Sequence, residues 1–167
     1  MKKTKILIGM MILSWIVLSY RFYEAFLKKV KLMDIPSTGD HLIDSMLNES
    51  NHFSYQQALF QQNSSNKLLL IFLFLLLAVS FFSYIKNKFV FAHIFYIGYI
   101  VLNFIKEIYK LYHTDRLIVD LSLSDAKDFA SISLNFSLHF TFFIGIVYLG
   151  MTFYSLYKTH TYSLCGS

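Results

Sequence analysis

The segment from Leu68 to Ile105 is the strongest structural signal in the chain. It reads LLLIFLFLLLAVSFFSYI over 68–85, KNK over 86–88 and FVFAHIFYIGYIVLNFI over 89–105. As helices the two apolar runs measure about 27 and 26 Å at about 1.5 Å per residue, close to the ~30 Å hydrocarbon core of a bilayer. Because backbone amides in lipid must bond within their own segment, each run is predicted to be an α-helix. The short basic turn predicts a hairpin of two antiparallel membrane-spanning helices.

Composition supports the same class. The chain is 56% hydrophobic and 15% charged, whereas an ordinary soluble domain carries about 25% charged residues. Its net charge of +5 does not predict a nucleic-acid partner, because the cations are not clustered on a soluble module. We expect membrane lipid to be the main surrounding. The lone Cys165 excludes an internal disulfide and a Cys-based zinc site.

The N-terminal stretch is predicted to be the first span. It begins MKKTK and continues as an apolar run, but no small-x-small cleavage pattern follows. This pattern indicates an uncleaved signal anchor. Phe22, Phe26 and Val30 recur every four residues, so we expect the first helix to continue past the membrane until Pro36.

These patterns define the predicted architecture. We expect an all-α integral membrane protein with four transmembrane helices in an antiparallel bundle and both termini on the same side. One membrane domain, 1–167, contains the whole chain. The predicted spans and the two larger outer loops are, in order, about 6–22, 68–85, 89–106 and 131–157, with loops at about 23–67 and 107–130.

The two outer loops carry different local patterns. Residues 34–66 are polar with one weakly amphipathic stretch, and they indicate either a tether or a recognition surface. Residues 106–113 are expected to be the interfacial end of the third helix. Residues 117–124 alternate apolar and polar side chains, which predicts a short extended segment. Ser124 followed by Asp125 predicts the start of the last helix, and a polar tail is expected from Lys158.

Orientation follows from the distribution of charge. The N-terminus, the turn at 86–88 and the tail hold only cations, whereas all ten acids lie in the two larger loops. Cations concentrate near the cytoplasmic ends of spans, and the first helix usually dominates. We therefore expect a multi-pass protein of a bacterial inner membrane with cytoplasmic N- and C-termini.

No soluble catalytic motif is present: the chain lacks GxGxxG, Walker, HExxH and GxSxG sequences. The protein is therefore predicted not to be an enzyme, and no cofactor is implied. Asp40, His41 and Asp44 lie close together, but such groups are common in polar loops and no metal site is predicted. Since no Asp or Glu lies inside an apolar run, a transporter or channel is less favoured.

Polar residues inside the predicted spans are the other candidates. Asn135 and His139 share one helix face at i and i+4, whereas His93 is expected near the cytoplasmic interface. Asn135 and His139 could hold the bundle together, serve proton or substrate transfer, or contact a partner helix. Possible partners within the bundle are Ser14, Ser80, Ser83 and Asn103.

The outer acids could meet a basic partner or simply be solvated. Complementary charge chiefly supplies steering and specificity. The acids concerned are Asp34, Asp40, Asp44, Glu49, Asp120, Asp125 and Asp128.

Two outer stretches resemble the periplasmic loops of a known family. Ile35-Pro36-Ser37-Thr38, followed by Asp44-Ser45-Met46-Leu47, resembles the first loop of the immunity proteins of pore-forming colicins of the A, B and N group. Arg116-Leu117-Ile118-Val119, with Asp125-Ala126 before the last span, resembles the second loop. That family has a similar length, four spans and cytoplasmic termini.

The resemblance implies a function. It implies an inner-membrane protein that binds the hydrophobic hairpin of a pore-forming toxin before its channel opens. Recognition would then take place between helices in lipid, and the fourth span with Gly145, Gly150, Asn135 and His139 would be the surface. The binding residues expected from charge, polarity and resemblance are Asp40, Asp44, Arg116, Asp120, Asp125, Asn135 and His139. The alternatives are a small transporter or channel subunit, or an accessory subunit of a larger membrane complex.

Overall fold

The computed structural model describes residues 5–164, and within them it contains only helices, turns and irregular segments. Its five helices are α1 Lys5–Phe26, α2 His41–Gln61, α3 Ser64–Ile85, α4 Phe89–Val119 and α5 Ser124–Leu164. All except α2 are long and apolar enough to cross a membrane. The predicted helical class with four candidate spans is confirmed. The predictions that concern Lys2, Lys3 and Cys165 lie outside the described residues.

The α3–α4 hairpin forms where the sequence predicts it. Its turn is residues 86–88, with Asn87 in the left-handed region at φ 58°, a conformation in which Asn is enriched. The Asn87 amide donates to the carbonyl of Tyr84 at 3.0 Å. Farther along, the hydroxyl of Ser80 donates to the carbonyl of Ala92 at 2.7 Å. Contacts therefore pair the end of α3 with the start of α4.

The apolar core is built by α1, α3 and α4. In α3, Leu70, Leu73 and Leu77 are at most 1% exposed and recur at helical spacing, which places them on one face. Among the residues that the structure describes, no buried member of this core cluster comes from α5, whose Tyr148 and Leu149 pack against it only partly buried. Helix α5 therefore lies at the edge of the core.

Hydrogen bonds fix α1 against α4. Ser14 Oγ and Tyr96 Oη lie 2.9 Å apart, and Arg21 Nη1 donates to Asn103 Oδ1 at 2.7 Å. Each pair is separated by 82 residues. The constant separation means that the two helices keep one register over about two turns.

Helix α1 ends at Phe26, so the prediction that it continues to Pro36 is wrong. The Gln62 side-chain amide donates to the carbonyls of Glu24, at 3.2 Å, and Lys28. These carbonyls at the helix end would otherwise need helical partners farther along the chain. The side chain of Gln62, which follows α2, thus supplies hydrogen bonds that a further turn of α1 would otherwise have made.

The first outer loop contains a helix that packs on the rest of the bundle. Helix α2 occupies 21 residues, and α3 begins at Ser64, four residues before the apolar run. Phe60 of α2 packs on α4, with ring centroids 5.2 Å from Tyr109 and 4.0 Å from His113. These aromatic contacts hold α2 against the outer half of α4.

The second outer loop is also mostly helical. Helix α4 has 31 residues and α5 has 41, about 46 and 61 Å at 1.5 Å per residue. Only residues 120–123 connect them. The predicted extended segment is wrong at 117–119, which are helical, and α5 continues to Leu164 where a polar tail was expected from Lys158. The predicted start at Ser124, with Asp125 in the first turn, is confirmed.

Candidate functional site

Asp40 and Asp44 lie together at the start of α2. Asp40 is the N-cap residue, and its carboxylate accepts from the amides of Leu42 and Ile43 at 2.9 and 3.3 Å. Such a cap satisfies amides that the helix itself leaves unbonded. Asp44 accepts at 2.7 Å from the amide of Thr38.

These bonds give both acids a role in the fold. The hydroxyl of Ser37, then the amide and hydroxyl of Thr38, hold the pKa of the exposed Asp44 carboxyl below its ordinary value. Hydrogen bonds to a charged carboxylate favour that form. Asp40 and Asp44 therefore position the loop before α2, and any partner would meet them already bonded.

Asp120 belongs to a separate acidic pocket on the outer side. A cavity of about 620 Å³ is lined by Asp34, Glu49, His52 and Asp120 among others. Glu49 accepts from the Leu123 amide at 3.3 Å and from the hydroxyl of Ser122. The Ser122 hydroxyl is the main cause that lowers the Glu49 pKa. Glu49 thus ties α2 to the α4–α5 connection.

Arg116 and Asp125 are exposed and bonded locally. The Arg116 guanidinium lies 4.6 Å from the Tyr112 ring centre and donates to the Tyr112 hydroxyl one turn earlier. Asp125 accepts from Ser124 at 3.4 Å in the first turn of α5, where the helix dipole favours an acid. The structure shows no direct contact of either residue with Asp40 or Asp44 within the described chain.

Asn135 and His139 share a face, as predicted, but that face is the outside of α5. Both residues are exposed, and the Nδ1 atom of His139 bonds the Asn135 carbonyl at 2.7 Å. The prediction that they join helices inside the bundle is wrong. Ser14, Ser80 and Asn103 bond Tyr96, Ala92 and Arg21 instead.

These two polar residues stand on an apolar stripe of α5. None of the most apolar 18-residue window of α5 is buried, against 28% in α1 and α3 and 39% in α4. We call this surface the α5 stripe. Its large exposed apolar members are Phe129, Ile132, Phe136, Phe140, Phe143 and Ile146.

Contacts with α4 set the level of the stripe. The Phe104 ring meets Phe142 at 5.6 Å between centroids and fills the space where Gly145 has no side chain. Glu107 lies about 27 Å along α4 from its first residue, nearly a full hydrocarbon thickness. His139, one turn before Phe142 on α5, therefore lies near the outer end of the bilayer-length part of the helices.

A charged cluster at this level was not predicted. Arg21 of α1 lies 2.9 Å from Glu107 of α4, and Lys106, 6% exposed, lies 3.8 Å from the same carboxylate. In the sequence, Asn103 and Glu107 share a face at i and i+4. That spacing was a usable signal, but nothing local indicated that Arg21 would face it.

A cavity of about 320 Å³ lies beside the cluster, between α1, α4 and α5. Its outer end includes Arg21, Lys110 and Ser137, and its inner end includes Ile144 and Tyr148. It combines charged, hydroxyl and apolar groups in one space. Such convergence of a few polar groups on an apolar pocket is typical of ligand sites.

His93 is buried between α4 and α5, four residues after the start of α4. Its Nδ1 bonds the Phe89 carbonyl at 2.6 Å, and its Nε2 lies 2.9 Å from Ser155 Oγ. Both ring nitrogens are occupied, so His93 joins α4 to α5 as a packing contact. Among the side chains that the structure describes, residues 5–158, no group of three His, Cys, Asp or Glu is placed to hold a metal ion.

The chain belongs to the family DUF8777, described as a domain of unknown function, which matches residues 1–161. No curated protein matches the chain, and no solved structure matches it.

Proposed function

We propose that the protein is a multi-pass inner-membrane protein whose spans are α1, α3, α4 and α5. The hydrogen bonds between α1 and α4 are those of parallel helices. Those between α3 and α4 and between α4 and α5 fit antiparallel helices. These contacts support an antiparallel four-helix bundle with both termini on one side. Lys86 and Lys88 at the inner turn favour a cytoplasmic position for that side.

We further propose that it is an immunity protein, which binds a pore-forming bacteriocin in the membrane of the producing cell and blocks it. The observation that carries this proposal is the α5 stripe. Asn135 and His139 stand there among exposed phenylalanines, at the outer end of the bilayer-length part, with no partner from another helix in the described chain. In lipid such side chains bond across helices, so the stripe suits an incoming apolar hairpin.

The acidic pocket adds a second contact for the toxin. Asp34 and Asp120 lie on its rim, outside the spans, where a basic loop of a toxin would meet them first. Opposite charges at a rim speed encounter and select the partner more than they tighten binding. The pocket would therefore steer the toxin, and the stripe would hold it.

The test is protection of living cells. Sensitive bacteria that express the chain are exposed to a panel of pore-forming colicins and related bacteriocins, and survival and potassium efflux are measured. We expect the chain to protect cells against at least one toxin. The double variant His139→Leu and Asn135→Leu should lose this protection, so that the toxin kills the cells again. Conservative changes on the exposed face of α3, Leu68→Ile and Leu75→Ile, should leave protection intact.

Three outcomes would contradict the proposal. Killing that is unchanged for every toxin overturns it. A solute flux in proteoliposomes that His139→Ala abolishes would instead support a transporter or channel subunit. A stoichiometric partner in mild detergent, without any protection, would support an accessory subunit.

A further inference from the structure

We propose that the cavity between α1, α4 and α5 is a binding site for one anionic phospholipid, with its phosphate at Lys110 and an acyl chain beside Val17 and Ile144. This inference rests on the proposed membrane position of the helices and not on toxin binding.

The outer end of the cavity carries surplus positive charge. Arg21 and Lys106 both lie within ion-pair distance of the single carboxylate of Glu107. Lys110 lines the cavity and makes no hydrogen bond or ion pair within the described chain. Glu107 is the only acid on the cavity wall. Lys110 is thus the cation that has no carboxylate partner in the described part of the chain, and it can bind an anion from outside the protein.

The hydroxyl groups opposite complete a phosphate site. Ser137 and Thr141 of α5 line the same cavity as Lys110 of α4. Hydroxyls donate to phosphate oxygens, and a lysine supplies a point charge for them. A neighbouring cavity of about 350 Å³ shares Lys110 and Ser137, which leaves space for the rest of a headgroup.

The depth of the site matches a lipid headgroup. Lys110 lies about 32 Å along α4 from Phe89, one hydrocarbon thickness from the inner turn. From Ser137 to Tyr148 the cavity follows α5 for about 16 Å. That length is about half of the ~30 Å core, the depth of one leaflet.

The inner end of the cavity carries apolar side chains beside the hydroxyls of Ser14, Tyr99 and Tyr148, and it is open to the side. Val17 and Ile144 line it and are 48% and 39% exposed, so an acyl chain enters between α1 and α5 without crossing the protein. A soluble phosphate would fill only the outer end and leave the apolar half empty. The combination of both ends favours a lipid over a soluble anion.

Native mass spectrometry of the delipidated protein tests the site. Phosphatidylglycerol and phosphatidylethanolamine with identical acyl chains are titrated separately. We expect phosphatidylglycerol to bind about fivefold more tightly, the effect of one lysine near an anionic headgroup. Lys110→Gln should remove this preference, whereas Lys29→Gln, the same change at an exposed lysine outside the cavity, should keep it.

A second pair of measurements separates the lipid from a soluble phosphate and from a misfolded variant. Thr141→Phe, which fills the cavity, should weaken both lipids while the helical circular dichroism is unchanged. Equal binding of the two lipids, or a preference that survives Lys110→Gln, overturns the proposal. Binding of glycerol 3-phosphate that is as tight as that of the lipid overturns it in favour of a soluble anion.

Discussion

Helices α3 and α5 are both apolar, but they are used differently. One face of α3 is packed against α1 and α4, and leucines at helical spacing are fully buried there. The most apolar window of α5 has no buried residue, and α5 meets the core through Tyr148 and Leu149, which are only partly buried. Apolar length therefore identifies a candidate span, whereas packing distinguishes a scaffold helix from an available surface.

The first prediction concerns the ion pairs of Glu107 with Arg21 and Lys106. Glu107→Ala would leave Arg21 and Lys106 facing each other without a carboxylate. We expect a loss of about 3 kcal/mol, the low end for a broken buried pair, because the Arg21 side chain is 29% exposed. Unfolding by SDS in mixed micelles measures it.

Its matched control is the surface pair Glu24–Lys28, at 3.4 Å with the Lys28 side chain 52% exposed. Glu24→Ala should cost at most about 0.5 kcal/mol, as exposed i,i+4 pairs do. Equal losses of stability at Glu24 and Glu107 would show that the buried ion pairs do not stabilise the bundle more than an exposed pair does.

The second prediction concerns the two faces of α3. Leu73→Ala should cost about 2 kcal/mol, the cavity cost of a leucine-sized void in a packed core, because Leu73 is 0% exposed. Leu75→Ala, at a residue 52% exposed, should change stability by less than about 0.5 kcal/mol. Thermal unfolding in detergent measures both. Equal losses at the two positions would remove the distinction between a packed and a free face.

The third prediction concerns the contact of α5 with α4. A Cβ at Gly145 would overlap the ring of Phe104, so Gly145→Ala should cost about 1–2 kcal/mol through overpacking. Gly150 has nothing within 4 Å of a Cβ, so Gly150→Ala should stabilise the helix by about 0.5–1 kcal/mol. The two melting temperatures should move in opposite directions. A rise for Gly145→Ala would mean that α5 does not pack as described.

The smallest effect is a pH dependence of α2. The pKa of Asp44 is lowered mainly by the Ser37 hydroxyl, and that of Glu49 mainly by the Ser122 hydroxyl. A lowered pKa in the fold stabilises it above the ordinary pKa, near pH 4, and that contribution is lost as the pH falls through the lowered value. The protection of α2 amides from exchange, relative to the unfolded chain at the same pH, should therefore fall below about pH 4, without effect on α3.

Asp44→Asn together with Glu49→Gln should flatten this profile. A profile that the double variant leaves unchanged would assign the pH dependence to other groups.

The sequence predicts the four candidate spans because a membrane-crossing helix needs a characteristic length and an apolar composition. The turn at 86–88 and the start at Ser124 follow from local chemistry, and both are confirmed. Helix α2 was missed because its polar residues give no strong apolar period, and Phe60 finds its partner on α4. The end of α1 depends on Gln62, which is distant in the chain.

The candidate site was also less predictable, because it depends on contacts between residues that are distant in the chain. The i and i+4 spacing of Asn135 and His139 predicts a shared face, but not that this face is outside. That depends on which edge of α5 meets α4, and Gly145 decides it by admitting Phe104. The cluster of Arg21 and Glu107 requires two distant helices, so no local pattern predicts it.

The separation of 82 residues between Arg21 and Asn103 has a consequence for biogenesis. At a synthesis rate of about 5–20 residues per second, Asn103 follows Arg21 by roughly 4–16 seconds. In the proposed membrane arrangement α1 would enter the bilayer during that interval with its guanidinium unpaired, which only a position at the headgroups allows. The docking of α1 is therefore completed only when α4 arrives. A chain interrupted before residue 103 would lack the Asn103 partner of Arg21, and its first span would remain undocked.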